Sequence, residues 1–123
     1  MNKKIIVIDD SQTIRDQVGT TLRRAGYEIL EAVDGIDGQR VIEKSPDAAL
    51  VICDVNMPQR NGLELLESVR KDDRFKAMPF VMLTSEGQPH LIERARKNGA
   101  KGWLVKPFKA DLLLAAVRKL TAS

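Results

Sequence analysis

At 123 residues the chain is long enough to bury one hydrophobic core and too short for two, and with 43% hydrophobic and 30% charged residues it falls among folded globular domains rather than disordered chains. Its one cysteine, Cys53, excludes an internal disulfide framework and makes a reducing, cytoplasmic setting the expectation; the residue itself reads as a small apolar side chain packed in a strand. The net charge of +3 is unevenly spread: residues 86–123 hold eight Lys or Arg against three Asp or Glu, scattered singly and with only Trp103 and Phe108 as aromatics, which is poor material for a nucleic-acid groove.

In chain order, short apolar runs alternate with helical patterns. Lys4–Ile8 is a β-branched strand that ends in Asp9 and Asp10. The basic residues before this run and the two acids after it make neither a signal peptide nor a membrane span. Ser11 can cap a helix carrying Ile14, Val18, Leu22 and Ala25, with Gly26 as its stop. Glu28–Ala32 is a second strand, placed near an edge because charge intrudes on it. Asp34-Gly35 turns the chain into a helix around Ile36, Gln39, Val41 and Ile42 that ends before Pro46. The run of residues 49–53 is continuously apolar and stops abruptly at Asp54; it has the length of a strand buried on both faces. Asn61-Gly62 opens a helix bearing Leu63, Leu65, Leu66 and Val69, and the polar residues 71–74 connect it to the strand Phe80–Thr84. Pro89 starts a fourth helix with Ile92 and Ala95, and Asn98-Gly99 stops it. Gly102–Val105 is the fifth strand, broken by Lys106-Pro107, and residues 109–120 close the chain as a helix with Ala110, Leu113, Val117 and Leu120 toward the core. Leu112, Leu114, Ala115 and Ala116 widen its apolar arc to roughly 200°, enough for a partly covered flank or for a docking or dimer surface.

Strands each followed by a helix imply a parallel sheet covered on both faces, since parallel neighbours need crossovers. The pattern fixes this class and no strand order. No glycine-rich nucleotide loop follows any strand. In such sheets chemistry lies beyond the strand carboxyl ends, and there stand Asp9 and Asp10, Asp54, Thr84 and Ser85, and Lys106. Singly, each has a plain account as a helix cap, a loop residue or a surface lysine. Together, three carboxylates would raise one another's pKa unless a cation sat among them, and hard oxygen ligands with room for water suit Mg²⁺. Lys106 and the Thr84 hydroxyl would complete a site for a tetrahedral dianion, with Asp54 placed to attack phosphorus.

Asp9-Asp10, Asp54 in Asp-Val-Asn-Met-Pro with Gly62 after it, Thr84-Ser85 and Lys106-Pro107-Phe108 resemble the receiver domain of two-component response regulators, across essentially the whole chain. The resemblance implies a flavodoxin-like fold of strand order 2-1-3-4-5, phosphorylation by a histidine kinase and a Mg²⁺ requirement, with Mn²⁺ able to substitute. It makes Asp54 the phosphoacceptor, Asp10 a direct metal ligand, Asp9 a ligand acting mainly through water, and Asn56 the donor of a backbone carbonyl. It makes Thr84 the switch hydroxyl, Lys106 the phosphate-binding lysine and the Lys106-Pro107 bond cis. Asn56 and Glu86 match positions that tune dephosphorylation, and Trp103 stands where the family carries a switch Tyr or Phe, moving inward as Thr84 moves.

With residues 1–123 read as a single receiver, no output domain is expected, and the chain looks like the stand-alone CheY-like chemotaxis members. The basic last third falls on the partner-binding face, where Ile92, Arg94, Arg96, Lys101, Trp103, Val105 and Lys119 would meet an acidic peptide such as a flagellar motor switch segment. Expected partners are a CheA-like kinase, that target and a phosphatase, with no nucleic acid and no membrane, and the chain is expected to be a monomer or weak dimer. An adaptor or phosphate sink in another two-component pathway is the alternative. A dehalogenase-type hydrolase would want a second aspartate two residues after Asp54, and Asn56 stands there; no enzymatic activity is expected beyond the chain's own phosphorylation and autodephosphorylation. His90, without a ligand set around it, reads as solvent-exposed.

Overall fold

In the computed structural model, which describes residues 3–57, 61–85 and 88–122, the five short apolar runs are strands and the stretches between them helices. They are β1 (Lys4–Ile8), α1 (Gln12–Arg24), β2 (Glu28–Ala32), α2 (Gly35–Lys44), β3 (Leu50–Asp54), α3 (Gly62–Arg70), β4 (Phe80–Thr84), α4 (Pro89–Lys97), β5 (Gly102–Val105) and α5 (Ala110–Thr121). All strands are parallel in the order β2-β1-β3-β4-β5. From β1 the chain winds one way to β2 and the other way to β3, so the carboxyl ends of β1 and β3 flank a topological switch point.

Strand alternation divides the core into two layers. Ile6, Ile8, Val51, Cys53, Phe80 and Met82 pack with Ile42 of α2, Leu66 of α3 and Ala95 of α4. Ile5, Val7, Leu50, Ile52, Val81 and Leu83 pack with Val18 and Leu22 of α1 and Leu113 and Val117 of α5. β3 and β4 are buried at every position, which is why their sequences are continuously apolar up to Asp54 and Thr84 at their ends; β2, an edge strand, exposes Glu28 and Glu31. Each fully buried aliphatic side chain contributes roughly 1.5–3 kcal/mol of transfer free energy, and this two-sided burial holds the strand ends rigid.

Local signals fix the helix starts. Ser11, Asp34 and Asn61 each accept a backbone N–H of the first turn, and Asn61 with Glu64 forms a reciprocal capping box. Three details depart from expectation. Ile36 is 56% exposed, because α2 lies so close to β1 that a Cβ on Gly38 would come within 2.7 Å of Ile8; glycine makes the contact that an apolar pattern assigns to isoleucine. α5 is phased so that Leu113, Val117 and Thr121 are buried, while Ala110 is exposed and Leu120 only half-buried. Thr121 fits a core position because its hydroxyl donates to the Val117 carbonyl (2.8 Å) and pairs with the Tyr27 hydroxyl (3.0 Å). The connector after α3 contains a 3₁₀ turn, Asp73–Phe75, that buries Phe75. No described helix is long and apolar enough to cross a membrane.

Candidate functional site

Register places the acids together. Ile8 pairs with Cys53, so the next residues, Asp9 and Asp54, leave adjacent strands side by side, and Asp9 N–H still bonds the Ala32 carbonyl of β2. Val55 N–H bonds the Leu83 carbonyl and Lys106 N–H the Thr84 carbonyl, so the rim continues across β3, β4 and β5. Behind Asp54 the start of α3 presses on the strand end: Gly62 N–H donates to the Val55 carbonyl at 2.9 Å, and a Cβ on Gly62 would lie 2.1 Å from the Asp54 carbonyl oxygen. Only glycine permits that approach. Cys53 is fully buried, its Sγ–H donates to the Asp54 carbonyl, and burial, with the charges of Asp54 and Asp9, pushes its thiol far above the usual range, so it is an inert core residue.

Asp9, Asp10 and Asp54 bring carboxylate oxygens within 4.8 Å of one another; Asp9 and Asp54 are 1% and 4% exposed, whereas Asp10 is exposed. Lys106 reaches in from the end of β5, with Nζ 2.8 Å from Asp9 Oδ2 and 3.4 Å from Asp54 Oδ1. Burial lowers the Lys106 pKa, but its hydrogen bond to Asp9 and the charges of both carboxylates outweigh that and hold it above the ordinary lysine value. For Asp54, burial and then the Asp9 charge raise the pKa to about 6, against the opposing pull of Lys106 and of the Asn56 main chain. Three carboxylates facing one ammonium leave an excess of negative charge, and the donors are all hard oxygens. The residues present therefore fit a divalent cation of the Mg²⁺ class.

Thr84 is fully buried at the end of β4, and pairing of Met82 with Trp103 puts Thr84 and the indole on the same face of the sheet. The Trp103 ring already packs against the α2–α4 layer, and its Nε1 is buried with no hydrogen-bond acceptor among the described residues. The Lys106-Pro107 bond is cis, Asn56 is exposed beside the acids, and His90 is exposed. Glu86 lies outside the described residues. On the expected partner face, Val105 is 47% and Ile92 36% exposed, and Lys101 and Lys119 are exposed. The two arginines are less free than their charge implied. Arg94 makes a two-pronged pair with Glu67 of α3 (2.6 and 2.7 Å), and Arg96 with Glu93 (2.6 and 2.9 Å). Sequence reasoning missed Arg15, whose guanidinium reaches the Asp9 carbonyl, because nothing in α1's own pattern reports on that contact.

The model of the response regulator receiver domain matches residues 5–118. The chain is 41% identical over 111 residues to the chemotaxis protein CheY1 of Helicobacter pylori, covering 89% of this chain and 90% of that protein. It is 39% identical to the CheY homolog of Campylobacter jejuni, covering 89% and 85%. Among solved structures, the chemotaxis response regulator CheY4 of Vibrio cholerae superposes with a TM-score of 0.91 at 38% identity, covering 98% of this chain and 99% of that one.

Proposed function

The chain belongs to the response regulator receiver domain family, in its CheY-like branch, and on that premise we propose that it is a phosphorylation-operated switch with Asp54 as phosphoacceptor. The observation that carries this reading is a nearly buried Asp54 carboxylate with an ammonium at 3.4 Å and two more carboxylates within 4.8 Å.

A carboxylate oxygen of Asp54 attacks the phosphorus of a phosphohistidine on a kinase of the CheA kind. The P–O bond forms, the P–N bond breaks, and the departing imidazole nitrogen takes a proton from solvent. Lys106 moves from neutralising two carboxylates to neutralising phosphoryl oxygens, a role for which its raised pKa keeps it charged. Asp9, Asp10, Asp54 and the Asn56 main-chain carbonyl would hold Mg²⁺, or Mn²⁺ in its place, which would supply positive charge to offset the negative charge of the transferred group. Asn56, exposed at the rim, and Glu86 tune the attack of water that returns the aspartate and inorganic phosphate. The chain acts on no other substrate.

The new dianion draws the Thr84 hydroxyl toward it, and space opens on the face that Trp103 shares. Trp103, Val105, Ile92, Lys101 and Lys119, with Arg96 at the margin, then present the docking face to an acidic target such as a flagellar motor switch protein, and a phosphatase resets the cycle. Arg94 takes part only by leaving Glu67. Incubation with a small phosphodonor, with and without Mg²⁺, followed by intact mass measurement tests the assignment. The expected result is one phosphoryl adduct that requires Mg²⁺ and is lost in Asp54→Asn; an adduct independent of either overturns it.

A further inference from the structure

We propose that Arg15 of α1 is a positioning residue for the carboxylate cluster: it fixes the Asp9–Asp10 peptide unit and thereby sets where the Asp10 carboxylate stands. This rests on the reading of the cluster as a divalent-cation site. The three carboxylates are not held alike. Asp9 takes the Ser11 N–H at 2.9 Å and Lys106 Nζ at 2.8 Å, and Asp54 pairs with Lys106. The exposed side chain of Asp10 has no hydrogen bond or ion pair among the described residues, so its aim depends on the main chain.

The carbonyl of that main-chain unit, on Asp9, accepts from Arg15 Nη1 at 2.7 Å. The same guanidinium donates through Nε to Glu31 Oε1 at 3.0 Å, and Glu31 in turn pairs with Arg23 at 3.5 Å. The Arg15 side chain is only 12% exposed. A planar fork thus spans from the edge strand β2 to the peptide that carries Asp10, a geometry a lysine ammonium cannot reproduce.

Arg15 has two opposed effects on a cation bound beside it. Its charge repels the ion, while its hydrogen bond orders a ligand. Glu31, 3.0 Å from the guanidinium, offsets most of the repulsion, whereas nothing else among the described side chains orders Asp10. Ordering therefore wins, as it does for groups that orient metal ligands from behind.

Isothermal titration of the full chain with MgCl₂ alone, without phosphodonor, separates the two effects by sign. Arg15→Gln is expected to weaken Mg²⁺ binding about tenfold. Arg15→Lys, which keeps the charge and loses the fork, weakens it as well. Glu31→Gln weakens it in the same direction, and the Arg15→Gln/Glu31→Gln double variant is no weaker than Arg15→Gln alone, because both act through one contact. Arg23→Gln, which removes the other Glu31 pair and touches no part of the cluster, leaves Mg²⁺ affinity unchanged. Thermal unfolding in EDTA shows that each variant is folded. Unchanged or tighter Mg²⁺ binding in Arg15→Gln, or equal weakening in Arg23→Gln, overturns the assignment to Arg15. A wild type that takes up no Mg²⁺, or an Asp10→Asn variant that binds like wild type, overturns it together with the cation-site reading.

Discussion

Asp54 is hard to ionise because the strand that makes it rigid also removes it from water and sets it beside Asp9. A carboxyl at about 6 in the folded chain, against an ordinary 3.8, favours the fold when protonated. That contribution is present below about pH 4 and is lost as pH rises through about 6. In EDTA, Asp54→Asn should therefore match wild type in stability at pH 4 and exceed it at pH 8 by about 1–2 kcal/mol, the full effect of the pKa difference being reduced by solvent at the rim. Urea denaturation at the two pH values checks this, and a variant less stable than wild type at pH 8 would remove the electrostatic cost assigned to Asp54. The site acids were legible in the sequence because each interrupts an apolar run, which a carboxylate does only at a mouth of the core. The engagement of Arg94 was not, since its partner Glu67 stands 27 residues away on another helix and a charge count cannot tell a spent cation from a free one.

The helix starting at Gly62 is the element that seats Asp54. Its first residue lies against the Asp54 carbonyl, so adding one methyl forces either the helix or the strand end to retreat. Gly62→Ala is expected to cost about 3 kcal/mol and to slow phosphorylation more than it destabilises, because the retreat displaces Asp54 from Lys106. Denaturant unfolding and phosphorylation rates, measured together, separate these effects; a phosphorylation rate equal to wild type would show that the contact is a packing detail alone. Sequence punctuation announced the start of this helix, since Asn61 followed by glycine and then Glu64 is a capping signature. Why the glycine is needed was not legible there: close approach of two backbones leaves no mark on hydrophobic periodicity. The same blindness explains Ile36, left outside while Gly38 takes the contact with β1, and the phase of α5, where a threonine with an internal hydrogen bond takes the buried place after Val117 that apolar periodicity assigns to Leu120.

Across the whole molecule, sheet order determines which events can be coupled. Hydrophobic runs identify strands and, through the charges on β2, one edge, but neighbours cannot be read from periodicity, and the order 2-1-3-4-5 was accessible only through family resemblance. Once built, that order sets Asp54, Thr84 and Lys106 on the consecutive strands β3, β4 and β5 or at their ends, with Trp103 on the last of them. A change in charge at Asp54 need cross only one buried strand end to reach the indole. The indole is poised to respond, because its buried N–H has no acceptor among the described residues, and an orphaned donor costs roughly 1–3 kcal/mol that any rearrangement supplying a partner recovers. Beryllofluoride with Mg²⁺, a mimic of the phosphoryl group, should therefore change the emission of Trp103, the only tryptophan in the chain. Thr84→Ala should still bind the mimic, as judged by thermal stabilisation that depends on its concentration, yet lose the emission change, because the hydroxyl proposed to link site to face is gone. An emission change that persists in Thr84→Ala would route the coupling elsewhere, and no change in wild type would leave Trp103 a fixed part of the core.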